Sequence, residues 1–210
     1  NGEITNHCGG CHTPIGTAAD AVTFNPDGGH HGSFSTPGVA AKGVSCDVCH
    51  TISDTNIHKT AVLEHGNASF VMSPGEAKRA TLDNASSPFH ATEYSEHHAS
   101  SEFCGNCHNI FHPTNNFPIE RTYDEWKYSA YAQAGIQCQD CHMVPVEVAK
   151  RVADEMKRPH ELEDHGLGGF AALGGPYREL VHDHGFVGGN AVITAAMQGE
   201  ESDNYQEAIR

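Results

Sequence analysis

At 210 residues and 22.5 kDa, with 38% hydrophobic and 8% aromatic residues and a mean hydropathy of −0.47, the chain has one domain's length but few apolar side chains to fill it. Twelve Lys and Arg stand against 27 Asp and Glu, and the formal charge of −15 excludes a basic nucleic-acid-binding face and a polybasic membrane-surface segment. No apolar stretch approaches the roughly 20 residues of a membrane-spanning helix, and a charged fraction of 19% is too low for a solvated, disordered chain.

In chain order, the first element is the pattern C-x-x-C-H at Cys8, Cys11 and His12. It returns at Cys46, Cys49 and His50, at Cys104, Cys107 and His108, and at Cys138, Cys141 and His142, and it uses all eight cysteines. The motif starts are 38, 58 and 34 residues apart, so the chain is not a fixed-period solenoid. Between the motifs, the Gly- and Pro-rich stretch 25–38 predicts a loop, residues 74–82 a short helix, and residues 100–108 a helical turn carrying the third motif. Residues 122–134 predict a helix with an N-terminal Thr, acids in its first turn and Gly135 as its stop. Trp126, Tyr123, Tyr128 and Tyr131 then read as its apolar face. Residues 146–157 predict another helix ending before Pro159, residues 167–176 a loop, and the acidic end from Gly199 a solvated tail or a docking arm. Two sequons, Asn67-Ala-Ser69 and Asn84-Ala-Ser86, matter only in a glycosylating compartment. The expected fold is mainly coil with short α-helices and little or no β-sheet, one domain over residues 1–210.

The repeated motif carries the chemistry. C-x-x-C-H is the signature of c-type haem attachment: two thiols add across the two vinyl groups on one porphyrin edge, and the histidine that follows is held under the iron as its proximal ligand. A zinc knuckle or a redox dithiol also uses C-x-x-C, but neither requires His at the same offset four times. The reading is four haem c groups, with Cys8, Cys11, Cys46, Cys49, Cys104, Cys107, Cys138 and Cys141 as thioether donors. His12, His50, His108 and His142 are the proximal iron ligands. Four porphyrins also supply the apolar interior that the side chains lack.

Thirteen further histidines remain, against four methionines. That surplus predicts bis-histidine, low-potential irons closed to substrates, since Met143 directly follows His142 and the other methionines suit core gaps. The distal ligands expected are His31, His90, His98 and His184, with His30, His97, His160, His165, His182 and His7 as substitutes. His7, beside Cys8, has the further option of reaching out of the subunit.

The segment from SPFH (Ser87) through CGNCHN to TYDEWKYSAYAQAGIQCQDCHM (ending at Met143) resembles the multihaem cytochromes grouped with the tetrahaem cytochrome of ammonia oxidisers. The match lies at Cys104 to His108, at Tyr123, Trp126 and Ser129, and at Gly135 and Cys138 to Met143, with GVSCDVCHTI fitting as well. Length, motif number and the early first motif are similar to OmcE-type surface cytochromes, whose subunits polymerise into haem-lined filaments. The resemblance implies a homopolymer with a haem chain continuous across subunit contacts, an axial histidine being supplied by the neighbouring copy.

The expected function is electron transfer through closely packed haems, in a surface filament for long-range transport. The alternative is a soluble periplasmic shuttle docking on a redox enzyme. A haem enzyme of nitrite or hydroxylamine chemistry is the rival class and needs one open iron. Covalent haem attachment by this motif follows export, so the expected location is extracellular, at the cell surface, or periplasmic, with redox proteins or extracellular acceptors as partners.

Overall fold

Each C-x-x-C-H motif lies on or beside a short helix of the computed structural model, which describes residues 2–28, 32–145, 147–149, 151, 168–171 and 174–187. Helix α1 (Gly2–His12) ends on the first motif, and α2 (Pro14–Ala18) follows at once with Pro14 in its first turn, where a missing N–H costs nothing. Helix α3 (Cys46–Thr51) is the second motif plus one residue, α4 (Ser101–Gly105) opens the third, and α7 (Gln139–His142) lies within the fourth. Helices of four to six residues are not stable alone. They hold their turns here through packing and side-chain bonds.

The expected helix over 122–134 is split into α5 (Thr122–Lys127) and α6 (Ala130–Gln133). Ser129 is the cause: its hydroxyl accepts from the Tyr131 and Ala132 amides, starting a new helix where the old one would have continued. Over 74–82 no helix forms; Ala77–Ala80 is instead an extended strand, for a reason that lies in its ties to the second motif.

The expectation of little or no sheet also needs amending. Among the described residues, ten short strands pair two by two. β1 (Thr23–Asn25) and β2 (Ser33–Ser35) form a hairpin inside the stretch expected as loop. β3 (Ile52–Thr55) pairs with β4 (Phe70–Met72), β5 (Ala77–Ala80) runs parallel to β6 (Ala91–Tyr94), and β7 (Ile110–Phe111) pairs with β8 (Pro118–Glu120). β9 (Gly169–Phe170) and β10 (Tyr177–Arg178) close the series. Strands this short satisfy the backbone groups of crossing loops rather than build a layer.

The chain divides into two compact units, Asn1–Gly135 and Ile136–Arg210. The first three motifs belong to the first unit and the fourth to the second. In the first unit Val48, Ile52 and Phe70 form a buried cluster, with Ile15, Ala68, Met72, Phe103 and Cys107 packed against it. In the second, Val144 and Val148 are buried against Cys141, Ala149 and Val187. Glu147, Val148, Ala149 and Arg151 are helical within the stretch 146–157 expected as a helix; the rest of that stretch and the acidic tail lie outside the described residues. The most completely buried side chains are polar: Gln139, Asn106, Asn109, Ser69 and Ser101. Large apolar rings stay outside, Phe89 being 77% and Tyr128 71% exposed.

Candidate haem-attachment site

The apolar cluster of the first unit draws three motifs together. Val48 comes from the second motif, Cys107 from the third with Phe103 just before it, and Ile15 from α2, which follows the first. The Cys11 thiol is in hydrogen-bonding contact with that of Cys107, which holds Cys11 below the ordinary thiol range and pushes Cys107 up, burial adding to the rise. Cys49 is near enough to act on Cys107 electrostatically, and burial raises Cys49 as well.

The third motif is clamped by buried amides. Asn106 Oδ1 accepts from Thr55 Oγ1 at 2.9 Å and from Ser69 Oγ at 3.1 Å, and its Nδ2 donates to the Phe103 carbonyl at 3.1 Å. Asn109 Nδ2 donates to the His65 carbonyl at 2.9 Å and to Asp124 Oδ1 at 3.2 Å. Asn67 completes the clamp: its side chain accepts from the Phe111 amide at 2.9 Å and donates to the Phe111 carbonyl at 3.0 Å. Gly66, at φ 137°, lets this segment pass so close that a Cβ there would lie 2.1 Å from the Asn109 carbonyl oxygen.

The second motif is held differently. His50 Nδ1 lies 2.7 Å from the Arg79 carbonyl oxygen on β5, an arrangement that puts the proton on Nδ1 and leaves Nε2 to a metal. Lys78, the residue before, reaches Asp47 at 2.6 Å, within the same motif. The shift of residues 77–80 from helix to strand follows from these ties, because a strand sends its carbonyl and a neighbouring side chain to the same motif. In the second unit His142 Nδ1 meets the Val187 carbonyl in the same way, at 2.5 Å.

These features fit a covalently attached haem. Two proximal histidines have Nδ1 engaged by a carbonyl, which leaves Nε2 to an iron, and Cys8, Cys11 and His12 border one opening with His7, Asn67 and Ile110. A zinc site needs its donors to converge, and among the described residues no three His, Cys, Asp or Glu side chains do so.

Of the distal candidates, His30, His31, His160 and His165 lie outside the described residues. His98 rests on the second motif, its ring 6.2 Å from that of His50 and inclined by 17°. Both of its nitrogens have protein partners, Ser95 Oγ at 2.8 Å and the Cys49 carbonyl at 2.9 Å. His97 packs on Phe103 with Nε2 3.3 Å from Thr55 Oγ1. Burial pulls both His97 and His98 below the usual imidazole range. His90 is exposed, its Nδ1 2.9 Å from the Ala91 carbonyl. His7 is half-buried within the electrostatic reach of His112. In the second unit His182, lowered by burial beside Asp140, is the more shielded, and His184 is exposed against Phe186.

Three features gave no warning or only a faint one in the sequence. Arg79 and Lys78 gave no signal, because nothing in Ala-Lys-Arg-Ala says which motif it meets. His65, half-buried against Tyr123 with ring centroids 5.0 Å apart, is not distinguished by its neighbours from the other spare histidines. Asn106 and Asn109 did leave a trace, as two amides in CGNCHN.

No family model matches the chain, and no curated protein matches it. Among solved structures it is similar to a penta-heme cytochrome c552 from Thermochromatium tepidum, at 23% identity and a TM-score of 0.43. The match covers 65% of this chain, which spans 38% of that one.

Proposed function

We propose that this chain binds four c-type haems and serves in electron transfer. The eight cysteines would hold the groups by thioether bonds, and His12, His50, His108 and His142 would hold their irons. The haem supplies reversible one-electron cycling of iron. The protein's part is to fix the ligands, exclude water from them and keep neighbouring groups close. The observation that carries the reading is the convergence of three motifs on one buried cluster, Val48 of the second and Cys107 of the third meeting there with Ile15, which follows the first. Attachment points this close make neighbours of groups bound to motifs far apart in sequence, which is what transfer between them requires.

For the distal positions, the half-buried imidazoles beside the motifs are the leading choices: His7, His97, His98 and His112 in the first unit and His182 in the second. His31, His90 and His184 stand beside them as the choices of the sequence pattern. With so many imidazoles at hand, no iron needs an open position, and a pure carrier is favoured over a nitrite or hydroxylamine enzyme. The leading physiological form is the subunit of a polymeric filament outside the cell; a periplasmic shuttle is the alternative. No helix among the described residues is long and apolar enough to cross a membrane.

Intact mass of the exported protein tests the count: four added haems are expected, and a chain carrying none overturns the reading. Electron paramagnetic resonance of the ferric protein should show low-spin signals alone, and a high-spin iron that binds cyanide points to catalysis. Electron microscopy at high protein concentration separates the two carrier forms, with filaments expected and a monodisperse monomer favouring the shuttle.

A further inference from the structure

Lys and Arg number 12 in a chain with 27 acids, yet two of these cations are adjacent on β5 and both face the second motif. Lys78 Nζ meets Asp47, between Cys46 and Cys49, at 2.6 Å. Arg79 is tied in three directions. Its carbonyl accepts from His50 Nδ1, its Nη1 donates to the Ser73 carbonyl at 3.2 Å, and its Nη2 donates to Glu93 at 2.8 Å. Ser73 is itself bonded to the end of the motif helix, through its amide and the Thr51 carbonyl at 2.8 Å. The parallel ladder sets Arg79 opposite Glu93, so the pair is built into the strand register.

Both ion pairs have the same polarity. The Arg79 side chain is 13% exposed and that of Glu93 52%; Lys78 is 25% exposed and Asp47 63%. A charge turned toward solvent is screened, and one turned inward is not. In the Lys78 pair the anion, Asp47, belongs to the second motif itself and offsets its lysine, so the unscreened positive end beside the motif is that of Arg79, whose acid is turned to solvent. Burial holds His98 below the usual imidazole range, and the Arg79 guanidinium adds the smallest of several contributions there.

We propose that Arg79 raises the reduction potential of the iron held by His50. This rests on the haem reading above. The unscreened cation stabilises the added electron of Fe(II) relative to Fe(III). The hydrogen bond from His50 to the Arg79 carbonyl acts the other way, but it belongs to the main chain and survives any substitution at this position. Among the described Lys and Arg ion pairs beside the other motifs none has so shielded a cation: Lys127, paired with Glu64 near the third motif, is 35% exposed against 41% for its acid. Arg121–Asp124, next to the third, has its acid inside, 10% exposed against 50% for the arginine.

The test is a spectroelectrochemical titration of the holo-protein and its variants, each first shown by intact mass to carry its haems. In Arg79→Gln, one of the four one-electron steps should fall by about 59 mV, a tenfold change in its ferrous-to-ferric ratio, while the other three stay. Arg79→Lys should keep most of the wild-type value. Glu93→Gln should move the same step upward, since it removes the anion and leaves the arginine in place. This variant keeps the test decisive if Arg79→Gln fails to mature. Opposite shifts of one step support the proposal. Unchanged curves, equal shifts of all steps, or shifts of the same sign in the two neutral variants overturn it. A chain without haem by mass overturns the underlying reading instead.

Discussion

At the second motif the neighbouring chain is β5, whose cations turn inward while their acids face water. At the third motif the neighbours are buried amides and Asp124, which is 8% exposed and bonded to Asn109. One site is held by charge pairs half in solvent, the other by hydrogen bonds of buried amides, partly or wholly shielded from it. The two arrangements have different energetics. Exposed ion pairs contribute little and are screened by salt, whereas a buried polar net is costly to break because each lost partner strands another group. Charge tunes the second site; amides fix the third in place.

The contrast can be broken most severely at Gly66. Its φ is positive, and a methyl group added there would lie 2.1 Å from the Asn109 carbonyl oxygen. Gly66→Ala should therefore cost about 3 kcal/mol or more, read as a fall in the denaturation midpoint. Next comes Asn106→Leu, which preserves volume but strands Thr55 and Ser69; a loss of about 3 kcal/mol, insensitive to salt, is expected from equilibrium unfolding. A loss that shrinks in high salt would show that charge matters at the third motif too. At the second motif, Lys78→Met should cost less than about 0.5 kcal/mol, and molar salt should abolish the difference between variant and wild type.

The smallest effect is in acid. The hydrogen bond from Lys78 holds the Asp47 carboxyl below its ordinary value of 3.8. A depressed acid stabilises the fold above its unfolded pKa and loses that contribution as pH falls through the folded one. The Lys78→Met difference should therefore be constant above about pH 5, decline as pH falls below 3.8 and vanish once it is below the depressed folded value, and a difference that persists in stronger acid would place its origin in packing of the lysine stem.

The C-x-x-C-H motifs are legible in the sequence because the pattern is local: five residues in fixed order suffice. Helix α5 was legible from its acids and Trp126, but its break was missed because Ser129 caps a helix only when the chain there is extended. The strands could not be read. Two to four residues give no period to detect, and β5 is a strand because β6 lies beside it and the second motif in front of it. The surroundings of the spare histidines could not be read for a related reason. Whether a histidine is shielded next to a motif depends on contacts such as that of His98 with Cys49, 49 residues away, on which spacing is silent. Burial of Asn106 and Asn109 inverted the usual rule that polar residues lie outside, and here the inner positions go to amides that tie three segments together.

Cys11 and Cys107, whose thiols touch, are 96 residues apart. A contact of that span closes late, since the chain between its ends must first be made and ordered. As the chain is made, the first motif therefore emerges long before its structural partner. The third motif, with its amides waiting for Asn67 and Ser69 already delivered, can close as soon as it arrives. The order of assembly is thus written into the distance between two sulfurs.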